Sequence, residues 1–172
     1  MDAIRAFIAI ELPTQIQDKL GEVIASLQTR TPKAVRWVPP NNIHLTLKFL
    51  GNVSPKNLDN LVEVMRNEAA RFRHTSFCVA GCGAFPNRVR PRVIWVGINA
   101  APELNQLQHA IDRETARLGY PSEDREFSPH LTLGRVSQHA SPAEVHQIGD
   151  ALASVKVGEL GQVTVTEIVL FR

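Results

Sequence analysis

Apolar positions along the chain follow two periods. Ala6 to Glu11 is a short, nearly continuous apolar run, as in a buried strand, and Pro13 then opens a stretch in which Ile16, Leu20, Val23 and Leu27 recur at helical spacing. Ile43 to Leu50 reads as a second strand. Behind it, Ser54-Pro55 has the form of a helix N-cap followed by proline at the first helical position, and Leu58, Leu61, Val62, Met65 and Phe72 give that helix one apolar face.

The same order then returns. Val93 to Ile98 reads as a strand, Pro102 opens a helix with Leu104, Leu107, Ile111 and Leu118 inward, Phe127 to Val136 is a strand, and Ser141-Pro142 repeats the capped helix start. The landmarks keep their spacing: Pro13 and Pro102 are 89 positions apart, His44 and His130 are 86 apart, and Ser54 and Ser141 are 87 apart. This predicts an internal duplication, with halves of roughly 1–86 and 87–172 inside a single domain of residues 1–172. The expected fold is α+β: two pseudo-symmetric lobes, each a largely antiparallel sheet with flanking helices, and an active-site cleft between them. The segment Gln162 to Leu170 alternates Val163 and Val165 against Thr164 and Thr166, which predicts a half-buried closing strand.

Composition narrows the class. A chain of 172 residues with 44% hydrophobic and 21% charged content can bury a substantial core. The apolar run Ala6 to Ile10 is too short for a signal segment or a membrane span, so a cytoplasmic protein that does not enter a membrane is expected, as a monomer. A formal charge of +2 does not by itself demonstrate nucleic-acid binding. Arg88, Arg90 and Arg92, set beside Pro86 and Pro91, form a local cluster that could meet phosphates of RNA or equally be a solvated loop. Cys78 and Cys82 are the only cysteines, too far apart on a strand for a disulfide unless Gly81 turns the chain, and His74 would leave a zinc site short of ligands. Buried free thiols are expected.

Two tetrapeptides carry the chemistry: His44-Leu45-Thr46-Leu47 and His130-Leu131-Thr132-Leu133. Alternate residues of a strand share a face, so each histidine projects with its threonine while the leucines turn to the core. Packed about a pseudo-two-fold axis, the strands would place two imidazoles and two hydroxyls in one cleft. An imidazole populates both protonation states near neutrality, so one ring can accept a proton from an attacking oxygen while the other gives one to a leaving oxygen. The hydroxyls can donate to non-bridging phosphate oxygens. Such a site suits phosphoryl transfer with no metal and no cofactor. His74, His109, His139 and His146 share no pattern and are expected at the surface.

These residues resemble the 2H phosphoesterase superfamily, defined by paired H-x-T-x motifs, and within it the RNA 2′,3′-cyclic phosphodiesterases also known as 2′-5′ RNA ligases. The likeness extends to Arg5-Ala6-Phe7-Ile8-Ala9-Ile10, Arg36-Trp37-Val38-Pro39-Pro40, Phe49-Leu50-Gly51, Phe85-Pro86, Pro91-Arg92-Val93 and Phe127-Ser128-Pro129. It implies that His44 is the proton donor to the leaving group, that His130 is the base that activates water, and that Thr46 and Thr132 bind phosphate. It also implies RNA with 2′,3′-cyclic phosphate ends as the substrate, tRNA fragments among them, opened to a 2′-phosphate, with 2′-5′ joining as the reverse sense. Arg135 resembles the family's phosphate-holding arginine, although strand parity sets it on the face opposite His130 and Thr132 unless Gly134 hosts a bulge. Phe49 takes the equivalent place in the first half, either in the core or stacked on a base. The sequence given ends at Leu170-Phe171-Arg172, where family members usually continue through a further short stretch that completes the sheet. A small-nucleotide cyclic phosphodiesterase and a non-catalytic RNA-binding module are the competing readings.

Overall fold

In a computed structural model, which describes residues 3–72 and 75–172, the two apolar periods resolve into strands and helices close to the expected places. The expectation for His74 lies outside the described residues. The first half forms strand β1 (Ile4–Glu11), helix α1 (Thr14–Gln28), strand β2 (Val35–Trp37), strand β3 (His44–Val53), helix α2 (Leu58–Arg71) and strand β4 (Ser76–Phe85). The second forms β5 (Val93–Ala100), α3 (Pro102–Arg117), β6 (His130–Val136), α4 (Pro142–Ser154), β7 (Glu159–Thr164) and β8 (Val169–Phe171).

The strands make a three-stranded sheet in the order β3-β1-β8 and a five-stranded sheet in the order β2-β6-β5-β4-β7, with antiparallel neighbours throughout. This is the expected α+β architecture, yet the sheets do not follow the sequence halves. β2 and β4 leave the first half to join the five-stranded sheet, and β8 returns from the second half to pair with β1. The lobes are therefore tied by chain exchange, and one apolar core runs through both, from Ile8, Leu20 and Leu45 to Ile94, Leu107 and Leu131.

Several local expectations need correcting. Gln162 to Leu170 is not one strand: β7 ends at Thr164 in the larger sheet and β8 starts at Val169 in the smaller, because the chain must cross between sheets there. Ser141 caps α4 through a reciprocal pair, its hydroxyl accepting from the Glu144 amide while the Glu144 carboxylate accepts from the Ser141 amide. Ser54 does no such thing. A 3₁₀ turn over Pro55–Asn57 intervenes, in which the Asn57 amide donates to the Ser54 carbonyl, and α2 begins only at Leu58. Val62 is 41% exposed, while Leu61 and Met65 carry the buried face of α2. Both cysteines are free thiols, but only Cys82 is buried. Gly81, at φ +75°, lies in a register irregularity between them, and β4 continues through it.

Candidate active site

The two motif strands are built on one plan. β1 runs beside β3 with Ala9 opposite Thr46 and Glu11 opposite His44; β5 runs beside β6 with Trp95 opposite Thr132 and Gly97 opposite His130. Each of these four positions in the first pair lies 86 residues before its counterpart in the second. The match includes a defect. Ile8 pairs with Lys48 and Ala9 with Thr46, so Leu47 is an extra residue on β3; Ile94 pairs with Gly134 and Trp95 with Thr132, so Leu133 is extra on β6.

A bulge of one residue reverses the alternation of the strand beyond it. Leu47 and Lys48 are accordingly buried in succession, as are Leu133 and Gly134, and Phe49 and Arg135 turn back to the face carrying His and Thr. The parity objection to Arg135 is thereby removed, by an extra Leu133 rather than by a special conformation of glycine. Gly134 serves a separate need: a Cβ there would stand 3.0 Å from the side chains of Trp37 and Val35 on β2. At the corresponding bulge on β3, the Leu47 carbonyl accepts from the buried Gln108 amide of α3 at 3.2 Å.

His44, Thr46, Phe49, His130, Thr132 and Arg135 line one cleft of about 560 Å³ between the sheets. The ring of His44 gathers with Phe7 and Phe171, nearly parallel, at centroid distances of 4.7 and 5.2 Å. Burial pushes its pKa below the ordinary histidine value, against the opposing pull of a hydrogen bond to the Asn42 backbone and the charge of Glu11. His130 meets Phe85 edge-on at 4.8 Å. Its Nδ1 lies 2.8 Å from the Ser128 carbonyl, which can only accept, so Nδ1 carries the hydrogen and Nε2 is left free for the cleft. Asn42 and Ser128 occupy equivalent places, two residues before each histidine.

One wall of the cleft is the segment between α3 and β6, which contributes Glu123, Arg125, Glu126 and Phe127. Lys48, only 1% exposed, anchors its root by donating to the Asp112 carboxylate at 2.5 Å and to the Pro121 carbonyl. Although partial burial opposes it, hydrogen bonding to Lys48 and Ser122 and the Lys48 charge hold the Asp112 carboxyl below its usual range. Neither this pair nor the aromatic set Phe7, Phe85 and Phe171 was singled out from the sequence as part of the site. The only signal was indirect: Phe7 and Phe85 lie in segments carrying the family likeness.

Arg88, Arg90 and Arg92 are not brought to the cleft. Arg88 donates to the Cys82 carbonyl at 2.7 Å, Arg92 donates to the Ser137 carbonyl, and all three sit in an exposed connection between β4 and β5. Among the described residues, no three His, Cys, Asp or Glu side chains are grouped to hold a metal ion, and no helix is long and apolar enough to cross a membrane. His109, His139 and His146 are exposed, His146 paired with Asp150.

Comparison with known proteins places this arrangement. A family profile described as LigT-like phosphoesterase matches residues 10–95 and 96–172. A protein named RNA 2′,3′-cyclic phosphodiesterase from Methanothermobacter thermautotrophicus is 30% identical over 169 residues, covering 98% of this chain and 89% of its own length. One of the same name from Archaeoglobus fulgidus is 33% identical over 156 residues, covering 91% and 85%. The solved structure of Escherichia coli LigT complexed with 3′-AMP superposes with a TM-score of 0.72 at 29% identity, over 98% of this chain and 87% of that one.

Proposed function

This chain belongs to the LigT-like phosphoesterase family, and we propose that it is an RNA 2′,3′-cyclic phosphodiesterase that opens the terminal cyclic phosphate to a 2′-phosphate by acid–base catalysis without a metal. The observation that carries the reading is the convergence of both histidines, both threonines and Arg135 on one cleft from equivalent, identically bulged strands.

In this reading His130 is the base. The Ser128 carbonyl holds its hydrogen on Nδ1, so Nε2 faces the cleft as an acceptor and takes a proton from water as the water oxygen bonds to phosphorus. His44 is the acid, giving its proton to the 3′ oxygen as the P–O3′ bond breaks; the phosphate stays on O2′. Burial favours neutral His44, and the negative charge of an arriving phosphate acts in the opposite sense, so substrate itself promotes the protonated donor. Thr46, Thr132 and Arg135 offer donors to the non-bridging oxygens, where charge accumulates as phosphorus becomes five-coordinate.

Phe49, 59% exposed on the cleft wall, presents a face on which a base can stack, which supports an RNA end rather than a bare cyclic phosphodiester. All the groups in these steps come from one chain, which supports action as a monomer, and the free thiols fit a reducing, cytoplasmic setting. The test is to incubate chelator-treated protein with an RNA ending in a 2′,3′-cyclic phosphate and identify the new terminus. A 2′-phosphate, formed at an undiminished rate, is expected. A 3′-phosphate, or turnover that needs an added divalent ion, would overturn the reading.

A further inference from the structure

Equivalence of the two motif strands makes an electrostatic difference between their neighbours conspicuous. The residue opposite His44 on the neighbouring strand is Glu11, whereas the residue opposite His130 is Gly97. Directly opposed residues on antiparallel strands project to the same side, so the carboxylate stands beside its imidazole. Both side chains line a second hollow of about 270 Å³ that adjoins the main cleft at His44 and is shared with Phe7, Asn42, Gln17 and Phe171.

We infer that Glu11 is a positioning residue for the proton, its carboxylate favouring the protonated state of His44 and so assigning the role of acid to the first motif and that of base to the second. The inference rests on the reading of His44 as general acid. No counterpart can be built in the second lobe. A Cβ at Gly97 would stand 2.7 Å from the Ala80 carbonyl oxygen of β4, so any side chain there collides with backbone. The fold admits a carboxylate opposite one histidine and forbids it opposite the other.

The other charges around His44 do not supply this bias. From β6 the cleft contains Arg135, whose guanidinium disfavours a second positive charge, and His130, which in this reading accepts a proton. Lys48, next to the motif on β3, is engaged by Asp112. The segment before β6 contributes Glu123, Arg125 and Glu126, of mixed sign; Gln17 of α1 and residues Val169–Phe171 of β8 carry no charge. Glu11 is also the carboxylate whose charge opposes the effect of burial on His44.

The experiment compares wild type with Glu11→Gln and Glu11→Asp in two readouts. In an NMR titration of the imidazole rings, Glu11→Gln should lower the His44 midpoint by about 0.5 to 1 pH unit, as expected for removing one charge at short range in a half-exposed site, and leave His130 in place. Above that midpoint, turnover of an RNA cyclic phosphate should fall about 3- to 10-fold, the matching loss of protonated donor. A cyclic substrate releasing a thiolate, which needs no proton, should be cleaved by Glu11→Gln at the wild-type rate, and Glu11→Asp should recover most of both effects. An unmoved His44 midpoint, equal shifts in both histidines, or equal losses on both substrates would each overturn the inference. Should His44→Ala leave RNA turnover intact, it is the assignment of His44 as acid that fails.

Discussion

β3 and β6 repeat one another from the histidine to the bulged leucine, and part company at the next residue, where β3 has Lys48-Phe49 and β6 has Gly134-Arg135. Position in the sheet explains the first difference. β6 is flanked on both sides, and β2 lies so close that a Cβ at 134 would crowd the Trp37 and Val35 side chains. β3 lies at the edge of its sheet, and the room there admits a lysine that reaches across to α3. The second difference is chemical: the same outward-turned position offers a guanidinium in one lobe and an aromatic ring in the other. A duplicated backbone thus presents the same His and Thr pair from each side of the cleft, while its outer neighbours decide what each lobe adds.

The strongest test of this comparison asks whether the matched histidines act oppositely. Alanine at either position should slow hydrolysis of an RNA cyclic phosphate by about 10²- to 10⁴-fold, the usual worth of one general acid or base. A substrate with a leaving group that needs no proton should rescue His44→Ala but not His130→Ala. Rescue of His130→Ala instead would exchange the roles; rescue of both would deny any division of labour.

Next in size is the pair beyond the bulge. Arg135→Ala should cut kcat by about 10²-fold on every cyclic phosphate, because a donor to the reacting oxygens is lost. Phe49→Ala should cost less than about tenfold and act on KM, and only for substrates carrying a base. A kcat loss from Phe49→Ala on a bare cyclic phosphodiester would erase the contrast.

Lys48 tests the packing side of the comparison. Lys48→Met leaves the Asp112 carboxylate without its buried partner, at a cost of about 3 kcal/mol in denaturant unfolding at pH 7. Since the folded state holds the Asp112 carboxyl below its ordinary value, the pair stabilises above the unfolded-state value of roughly 4, and the contribution is lost as pH falls through the lower folded value. Wild-type stability should therefore converge on that of the variant in acid; a constant gap between pH 7 and pH 3 would contradict this.

The smallest effect concerns the two serines. Ser141→Ala should destabilise by about 1 kcal/mol by removing a reciprocal cap, and Ser54→Ala by no more than a few tenths, since its hydroxyl caps nothing. Equal costs would mean that the two helix starts work alike.

Much of this organisation could be read from residue order. The helical faces, the motif strands and the spacing of the repeat are local properties, written in periods of 3.6 and 2. His44, Thr46, His130 and Thr132 follow from that reading because period-two geometry alone sets them on one face. Arg135 was legible only through resemblance, since a bulge is a property of pairing between strands and leaves no trace in the parity of one. The buried Lys48, the aromatic set around His44 and the exchange of β4 and β8 were not legible, because each depends on segments far apart in the chain. The basic run at Arg88, Arg90 and Arg92 shows the converse: neighbours in sequence that do not line the cleft, with Arg88 and Arg92 donating to backbone carbonyls.

The return of β8 to β1 also sets an order of assembly. As the chain leaves the ribosome, β1 and β3 can pair early, bringing His44 to its strand, but Phe171, which stacks on both Phe7 and His44, emerges more than a hundred residues later. His44 is thus synthesised early and housed late. Because its pairing spans nearly the whole chain, closure of the smaller sheet carries a large loop-entropy cost, and contacts of this kind slow folding. A nascent chain therefore holds both motifs for some time before it holds an active site.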